Sequence, residues 1–199
     1  MSETPAIGPA GAPDAPRRRR VAPWIALAIA VVVGALFVVL AGASPEHADP
    51  TTGELVGKPA PAVQTTTFDG QRFDLGRRRG SWVVLNFFDT KCVECKKEHP
   101  ELVTFAAQQR EPGALGVELY TVVNNDTDAN VSGWFADHGG DWPVLHDDDG
   151  HIAVSFGVAQ IPETWIVDPN GTIVARYPYA VRSADEITNV IDRLAGRPA

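Results

Sequence analysis

SWVVLNFFDTKCVECKKEHP, residues 81–100, decides the fold. Ser81 to Phe88 is a continuous apolar run bounded by Gly80 and Asp89, the pattern of a central strand buried on both faces. Just beyond it, Cys92-Val93-Glu94-Cys95 opens a segment that predicts a helix from Cys92 to about Arg110, interrupted at Pro100. Two cysteines at this spacing meet across one helical turn. The first lies at the helix mouth, where unpaired N–H groups and the helix dipole favour an anion and lower a thiol's pKa. Cys92 is therefore expected to be the exposed, ionisable thiol, and Cys95 the more buried one. A thiolate attacks disulfides and a second thiol resolves the mixed disulfide, so the pair is suited to thiol–disulfide exchange.

Working outward, residues 61–67 and 71–75 read as short extended pieces around the Phe68-Asp69-Gly70 turn. Val117 to Val123 is the next strand, Thr127 to His138 a helix with Trp134 and Phe135 on its apolar side, and Trp142 to Leu145 a short extended piece. Thr164 to Val167 and Thr172 to Tyr177 flank Asp168-Pro169-Asn170-Gly171, a hairpin turn. Ser183 and Glu186 have capping-box spacing for a last helix, with Ile187, Val190, Ile191 and Leu194 as its buried stripe. The order β-β, β-α-β-α, β-β-α predicts an α/β fold: a mixed central sheet with helices on both faces.

The chain has 199 residues, 44% of them hydrophobic, with five Trp and eight Phe, enough for a core without disulfide staples. It has two cysteines, three positions apart, and a bridge closing so short a loop constrains the unfolded chain little. Redox or metal chemistry explains the pair better than stability. The formal net charge is −8, and leaving out residues 1–44, with four arginines and two acids, makes it −10. That balance excludes a nucleic-acid binder.

At the N-terminus, residues 1–20 read as a disordered cytoplasmic tail ending in the basic run Arg17 to Arg20. Residues 21–43 carry no charge and are long enough, at ~1.5 Å per residue, to span ~30 Å of hydrocarbon. They predict a transmembrane signal anchor through the lipid bilayer, with Trp24 at the interface and the arginines inside. A cleaved signal peptide is the rival, since Ala41-Gly42-Ala43 has the form of a cleavage site. Either reading puts the C-terminal domain outside the cytoplasm, in the first case on a single-pass membrane protein. Residues 44–54 read as a linker and 55–199 as the folded domain.

Over residues 55–195 the sequence resembles the TlpA/ResA/CcmG group of membrane-tethered thioredoxin-like thiol–disulfide oxidoreductases. The resemblance is carried by Gly57-Lys58-Pro59-Ala60-Pro61, Asn86-Phe87-Phe88, Cys92-Val93-Glu94-Cys95-Lys96-Lys97-Glu98-His99-Pro100, Phe156-Gly157-Val158 and Ile161-Pro162-Glu163-Thr164-Trp165. It implies a thioredoxin-like fold in which Cys92 and Cys95 are catalytic and Glu98 is an active-site acid. It also implies that Pro100 kinks the active-site helix and that Ile161, Pro162 and Glu163 form a cis-proline loop binding substrate backbone, with Glu163 at the groove rim. The expected partners are a protein disulfide substrate, with apocytochrome c the leading candidate, and a membrane thiol-transfer reductase of the CcdA/DsbD type. No cofactor beyond the redox-active Cys92–Cys95 disulfide, and no metal, is implied. The chain departs from the group at Lys91, where Trp is usual, and at Glu94, where Pro is frequent. Those changes bear on redox potential and partner choice more than on reaction type.

Rival chemistries fit less well. A zinc site wants four ligands, and there is no second Cys-x-x-Cys. A thiol peroxidase of this fold wants a Thr three residues before the reactive Cys, whereas Thr90 is two before Cys92. A Cu(I) site of two thiolates suits soft ligands, but related copper-handling proteins have one more residue between the cysteines and a distal His ligand. The polar stretch His146, Asp147, Asp148, Asp149, His151 reads as a solvated turn. A general protein-disulfide reductase or oxidant remains the alternative to a cytochrome c role, because sequence does not set redox poise.

Overall fold

The structure is a computed structural model that describes residues 22–42 and 50–197, with side chains over 23–38 of the first segment. The expectations for residues 1–21 and 43–49, including the basic run and most of the linker, lie outside the described residues. The chain forms two compact units, Met1–Pro45 and Glu46–Ala199.

In the first unit, helix α1 spans Ala22–Gly42, and none of the described side chains on it is buried. Its backbone runs 21 residues, but the part with described side chains covers only ~24 Å at ~1.5 Å per residue. Among the described residues no helix is long and apolar enough to cross a membrane.

The second unit holds strands β1 (Gln64–Thr66), β2 (Arg72–Asp74), β3 (Val83–Phe87), β4 (Glu118–Val123), β5 (Val144–His146), β6 (Glu163–Val167) and β7 (Ile173–Tyr177). Its helices are α2 (Val93–Gln108), α3 (Asp128–His138), α4 (His151–Phe156) and α5 (Ala184–Leu194). Five strands form one mixed sheet in the order β5-β4-β3-β6-β7; β3–β4 and β4–β5 are parallel, β3–β6 and β6–β7 antiparallel. All five residues of β3 are buried, as the apolar run requires of a central strand. Its alternate residues feed two cores. Val83, Leu85 and Phe87 join Trp165, Val167, Phe73 and Phe156 on one face, which α4 covers. Val84 joins Ile166, Leu102, Phe105, Ile187 and Ile191 on the other, under α2 and α5. Burying each such large side chain contributes ~1.5–3 kcal/mol.

Both sheet edges are covered. The β1–β2 hairpin reaches β5 through the Thr67–Leu145 bridge and a bond from Phe68 N to Val144 O of 2.9 Å. Residues 50–60 run beside β7: Gly57 N donates to Ile173 O at 2.8 Å, Ile173 N to Lys58 O at 2.9 Å, and Arg176 N to Pro50 O at 2.7 Å.

Several local expectations are corrected. Pro100 does not interrupt α2, which runs unbroken from Val93 to Gln108 with the proline on its exposed side. The polar stretch after β5 is not only a solvated turn. Asp147 is buried and accepts from Ile152 N at 2.7 Å and Ala153 N at 2.9 Å, so it starts α4, a helix too short to show a period in sequence. Ser183 does not bond the α5 amides with its side chain; Arg182 N donates to Glu186 Oε2 at 3.2 Å instead. Leu194 is 46% exposed, so the α5 stripe ends at Ile191.

Candidate active site

The turn from β3 into α2 is closed by its own hydrogen bonds. Lys91 N donates to Asp89 Oδ1 at 2.6 Å and Cys92 N to Asp89 O at 3.1 Å. Cys92 is the N-cap of α2, with extended backbone, and its Sγ accepts from Cys95 N at 3.0 Å. Sulfur therefore occupies the position a capping oxygen holds, facing the orphan amides of the first turn. Cys92 and Cys95 are joined as a disulfide. Cys92 is half-buried, and Cys95 is buried among Phe88, Val123 and Val131, with Trp134, Phe135 and Ile161 packed around them. This is the asymmetry expected of an attacking and a resolving sulfur. The two charges that depart from the group's pattern are occupied elsewhere. Glu94 is exposed and pairs with Lys97 at 2.6 Å, while Lys91 Nζ donates to Asn125 O at 3.2 Å.

The loop before β6 faces the pair. The Ile161–Pro162 peptide is cis, and Ile161 O lies 3.7 Å from Cys92 Sγ. Ile161 and Pro162 line a cavity of about 560 Å³ shared with Glu94, Lys97, Glu98, Gln160 and Tyr179. Glu163 does not reach it. Its carboxylate is fully buried, accepting from Arg176 Nε at 2.9 Å and Nη2 at 3.0 Å, and the Arg176 guanidinium lies 5.1 Å from the Trp165 ring centre. Of the three loop residues, the structure thus brings Ile161 and Pro162 to the site and turns Glu163 into a buried ion pair. A larger cavity, about 800 Å³, lies between β1, β2 and Arg77 and Arg78. It sits away from the cysteines: Arg78 pairs with Glu118 at the start of β4, whereas Cys92 follows the far end of β3.

Glu98 is 1% exposed, one turn beyond Cys95 on α2, and lines the same cavity. Burial pushes its carboxyl up to about 8, against the opposing pull of hydrogen bonds from Val181 N (3.0 Å) and Asn86 Nδ2. Asn86 also donates to Thr164 Oγ1 at 3.0 Å, and its own Oδ1 is buried without a partner. Asn86 and Thr164 thus support the acid from β3 and β6. The sequence signals both residues by the resemblance and Asn86 also as an amide inside an apolar run, without showing that they meet. Sequence reasoning missed two further neighbours. His99 is buried, with Nε2 2.8 Å from Gly139 O, and its ring packs among Phe88, Trp134, Phe135 and Trp142 behind Cys95. Burial pushes its pKa down. The second is Asp126, whose carboxylate accepts from both Thr90 N (2.9 Å) and Thr90 Oγ1. No group of three or more His, Cys, Asp or Glu among the described residues is placed to hold a metal ion.

A capped cysteine pair at the mouth of a helix, opposed by a cis-proline loop and backed by a buried acid on a mixed α/β sheet, defines a thiol–disulfide oxidoreductase of thioredoxin-like fold. Comparison with known proteins agrees. The chain belongs to the AhpC/TSA family, whose sequence profile matches residues 56–176. It is 32% identical over 171 residues to the thiol:disulfide interchange protein HelX of Rhodobacter capsulatus, covering 84% of this chain and 91% of that one. It is 30% identical over 119 residues to the thiol-disulfide oxidoreductase ResA of Bacillus thuringiensis, covering 60% and 67% respectively. The thioredoxin domain of a Bacteroides vulgatus thiol-disulfide oxidoreductase superposes with a TM-score of 0.59 at 23% identity, covering 69% of this chain and 96% of that one; at that identity it speaks to the fold. The resemblance to the TlpA/ResA/CcmG group is thereby confirmed.

Proposed function

We propose that the chain is a membrane-anchored, extracytoplasmic reductant of protein disulfides, with Cys92 attacking, Cys95 resolving and Glu98 exchanging the proton of Cys95. The observation that carries this reading is the position of Cys92 Sγ at the N-cap of α2, 3.0 Å from Cys95 N, where negative charge on sulfur is favoured. The Cys92 thiolate attacks one sulfur of the substrate disulfide; the Cys92–substrate bond forms and the substrate's S–S bond breaks, leaving a substrate thiolate. Cys95 then loses its proton and attacks Cys92. The second substrate thiol departs, and two electrons have passed to the substrate. A carboxyl held near 8 is close to an ordinary thiol's pKa of ~8.5, so a proton passes between Glu98 and Cys95 at little cost in either direction. Ile161 and Pro162 hold the incoming chain beside Cys92.

Apocytochrome c, whose Cys-x-x-Cys-His thiols must be free for haem attachment, is the substrate we favour. A membrane thiol-transfer reductase of the CcdA/DsbD type then restores the dithiol. The proposed anchor is the stretch 21–43, whose sequence carries no charge over 23 residues, a length of apolar chain suited to hydrocarbon. The Arg17–Arg20 run on its N-terminal side orients the second unit outward.

The test is capture with Cys95→Ser in the full-length chain. A mixed disulfide on Cys92 is expected to accumulate and to be absent from the Cys92→Ser, Cys95→Ser double variant. If nothing is captured in cells and the purified wild type fails to reduce a model disulfide, the reading is wrong.

A further inference from the structure

We propose that Asp126 is a positioning residue for the exchange reaction: by gripping Thr90 at two points it fixes the turn that delivers Cys92 to the mouth of α2. The proposal rests on the reading of Cys92 as the attacking sulfur.

Three successive amide donors, at Thr90, Lys91 and Cys92, make the turn into the N-cap sulfur. Asp89 satisfies two of them from within the turn, by its side chain and its carbonyl. The third, Thr90 N, donates to Asp126 Oδ2 at 2.9 Å, and Thr90 Oγ1 donates to the same oxygen. Asp126 thus ties the backbone of the Cys92 turn to a different element. It is itself held: its other oxygen, Oδ1, accepts from Thr127 N at 2.8 Å and from Asn130 Nδ2 at 2.8 Å, in the first turn of α3. Both oxygens are committed, so the side chain has one arrangement and the mouths of α2 and α3 are joined through it. Partial burial would raise its carboxyl, but the hydrogen bonds from Thr90, Asn130 and Thr127 win and hold it well below the usual carboxylate range. It stays ionised through the working pH range.

The charge and the geometry of Asp126 act in opposite directions on Cys92. A negative group opposes a thiolate, whereas a fixed turn keeps Sγ on the Cys95 amide that favours one. The other charged or titratable groups about Cys92 are Asp89 and Lys91 in the turn and Glu94, Lys96, Lys97 and Glu98 on α2. Glu98, held near 8, is common to every variant compared, so the comparison between them reads Asp126 and Thr90. Glu163 of the facing loop is turned to Arg176. Geometry wins if a displaced sulfur reverts towards an ordinary thiol.

The experiment measures the pH dependence of Cys92 alkylation by iodoacetamide in the full-length Cys95→Ser chain, alone and combined with Asp126→Ala, Thr90→Val or Thr90→Ser. Asp126→Ala is expected to move the midpoint up by about one pH unit, an about tenfold slower reaction at neutral pH that is recovered near pH 9. Thr90→Val should move it the same way by less, and Thr90→Ser, which keeps the hydroxyl, should restore it. A role confined to stability would lower the melting temperature and leave the midpoint alone. An unchanged or lowered midpoint in both Asp126→Ala and Thr90→Val overturns the proposal. A midpoint near ~8.5 in the parent chain overturns instead the reading of Cys92 as an activated thiolate.

Discussion

Replacing Glu98 by Gln isolates the cost of keeping an acid in the core. The carboxyl is 1% exposed and titrates at about 8, against 4.5 for a free side chain. Because the folded value lies above the unfolded one, the native state holds a proton that the unfolded chain has released. Stability from this group is full below pH ~4.5 and is lost as pH rises to about 8, at ~1.4 kcal/mol per pH unit. The whole loss is of order 5 kcal/mol, a large share of a domain's ordinary 5–15 kcal/mol. Gln fills the same space without titrating. Its oxygen still meets Val181 N, and its amide is accommodated when the Asn86 amide turns over, bringing the unpartnered Oδ1 in place of Nδ2. Urea unfolding followed by circular dichroism, on oxidised wild type and Glu98→Gln at pH 4.5, 6, 7 and 8, should give curves that diverge with pH. The variant should gain steadily on the wild type and exceed it at pH 8. Two pH profiles that run parallel would refute the burial argument, whatever their offset.

Other consequences are simpler to read. Arg176→Ala leaves the Glu163 carboxylate buried and unpaired, and should cost ~3 kcal/mol in urea unfolding. The double change Glu163→Gln, Arg176→Met should recover most of that loss, showing that the pair shapes the loop behind Pro162 more than it stabilises the sheet. Gly140→Ala is expected to lower the melting temperature by several degrees, since φ is +105° and the new methyl would sit 3.0 Å from Phe135 and Trp142 atoms. Trp fluorescence reports that change directly.

What the sequence made legible was what repeats or what binds tightly. An apolar run with polar bounds gave β3, the Asp168–Gly171 turn gave the β6–β7 hairpin, and the helical stripe gave α5 up to Ile191. The cysteine pair announced itself by spacing and by its place after β3. What stayed hidden depends on partners far apart in the chain. Asp147 starts a helix of six residues, which has no period to detect. Glu163 follows Pro162 and looks like a groove residue, but its fate is set by Arg176 across the hairpin. Glu98 was legible through the family resemblance, but not the partners Asn86 and Val181 that enclose its carboxyl, nor Thr164 behind Asn86. Asp126 lies in a polar loop indistinguishable from any other until it meets Thr90.

The strips of chain that flank the sheet on both sides have an effect on traffic. With the hairpin laid along β5 and residues 50–60 laid along β7, neither border offers a long row of free peptide groups on which a foreign strand could crystallise. A thioredoxin-like domain that exchanges disulfides with other chains gains from such blunt margins. They leave visiting chains to dock where the sulfur is and guard against sister copies stacking into fibres.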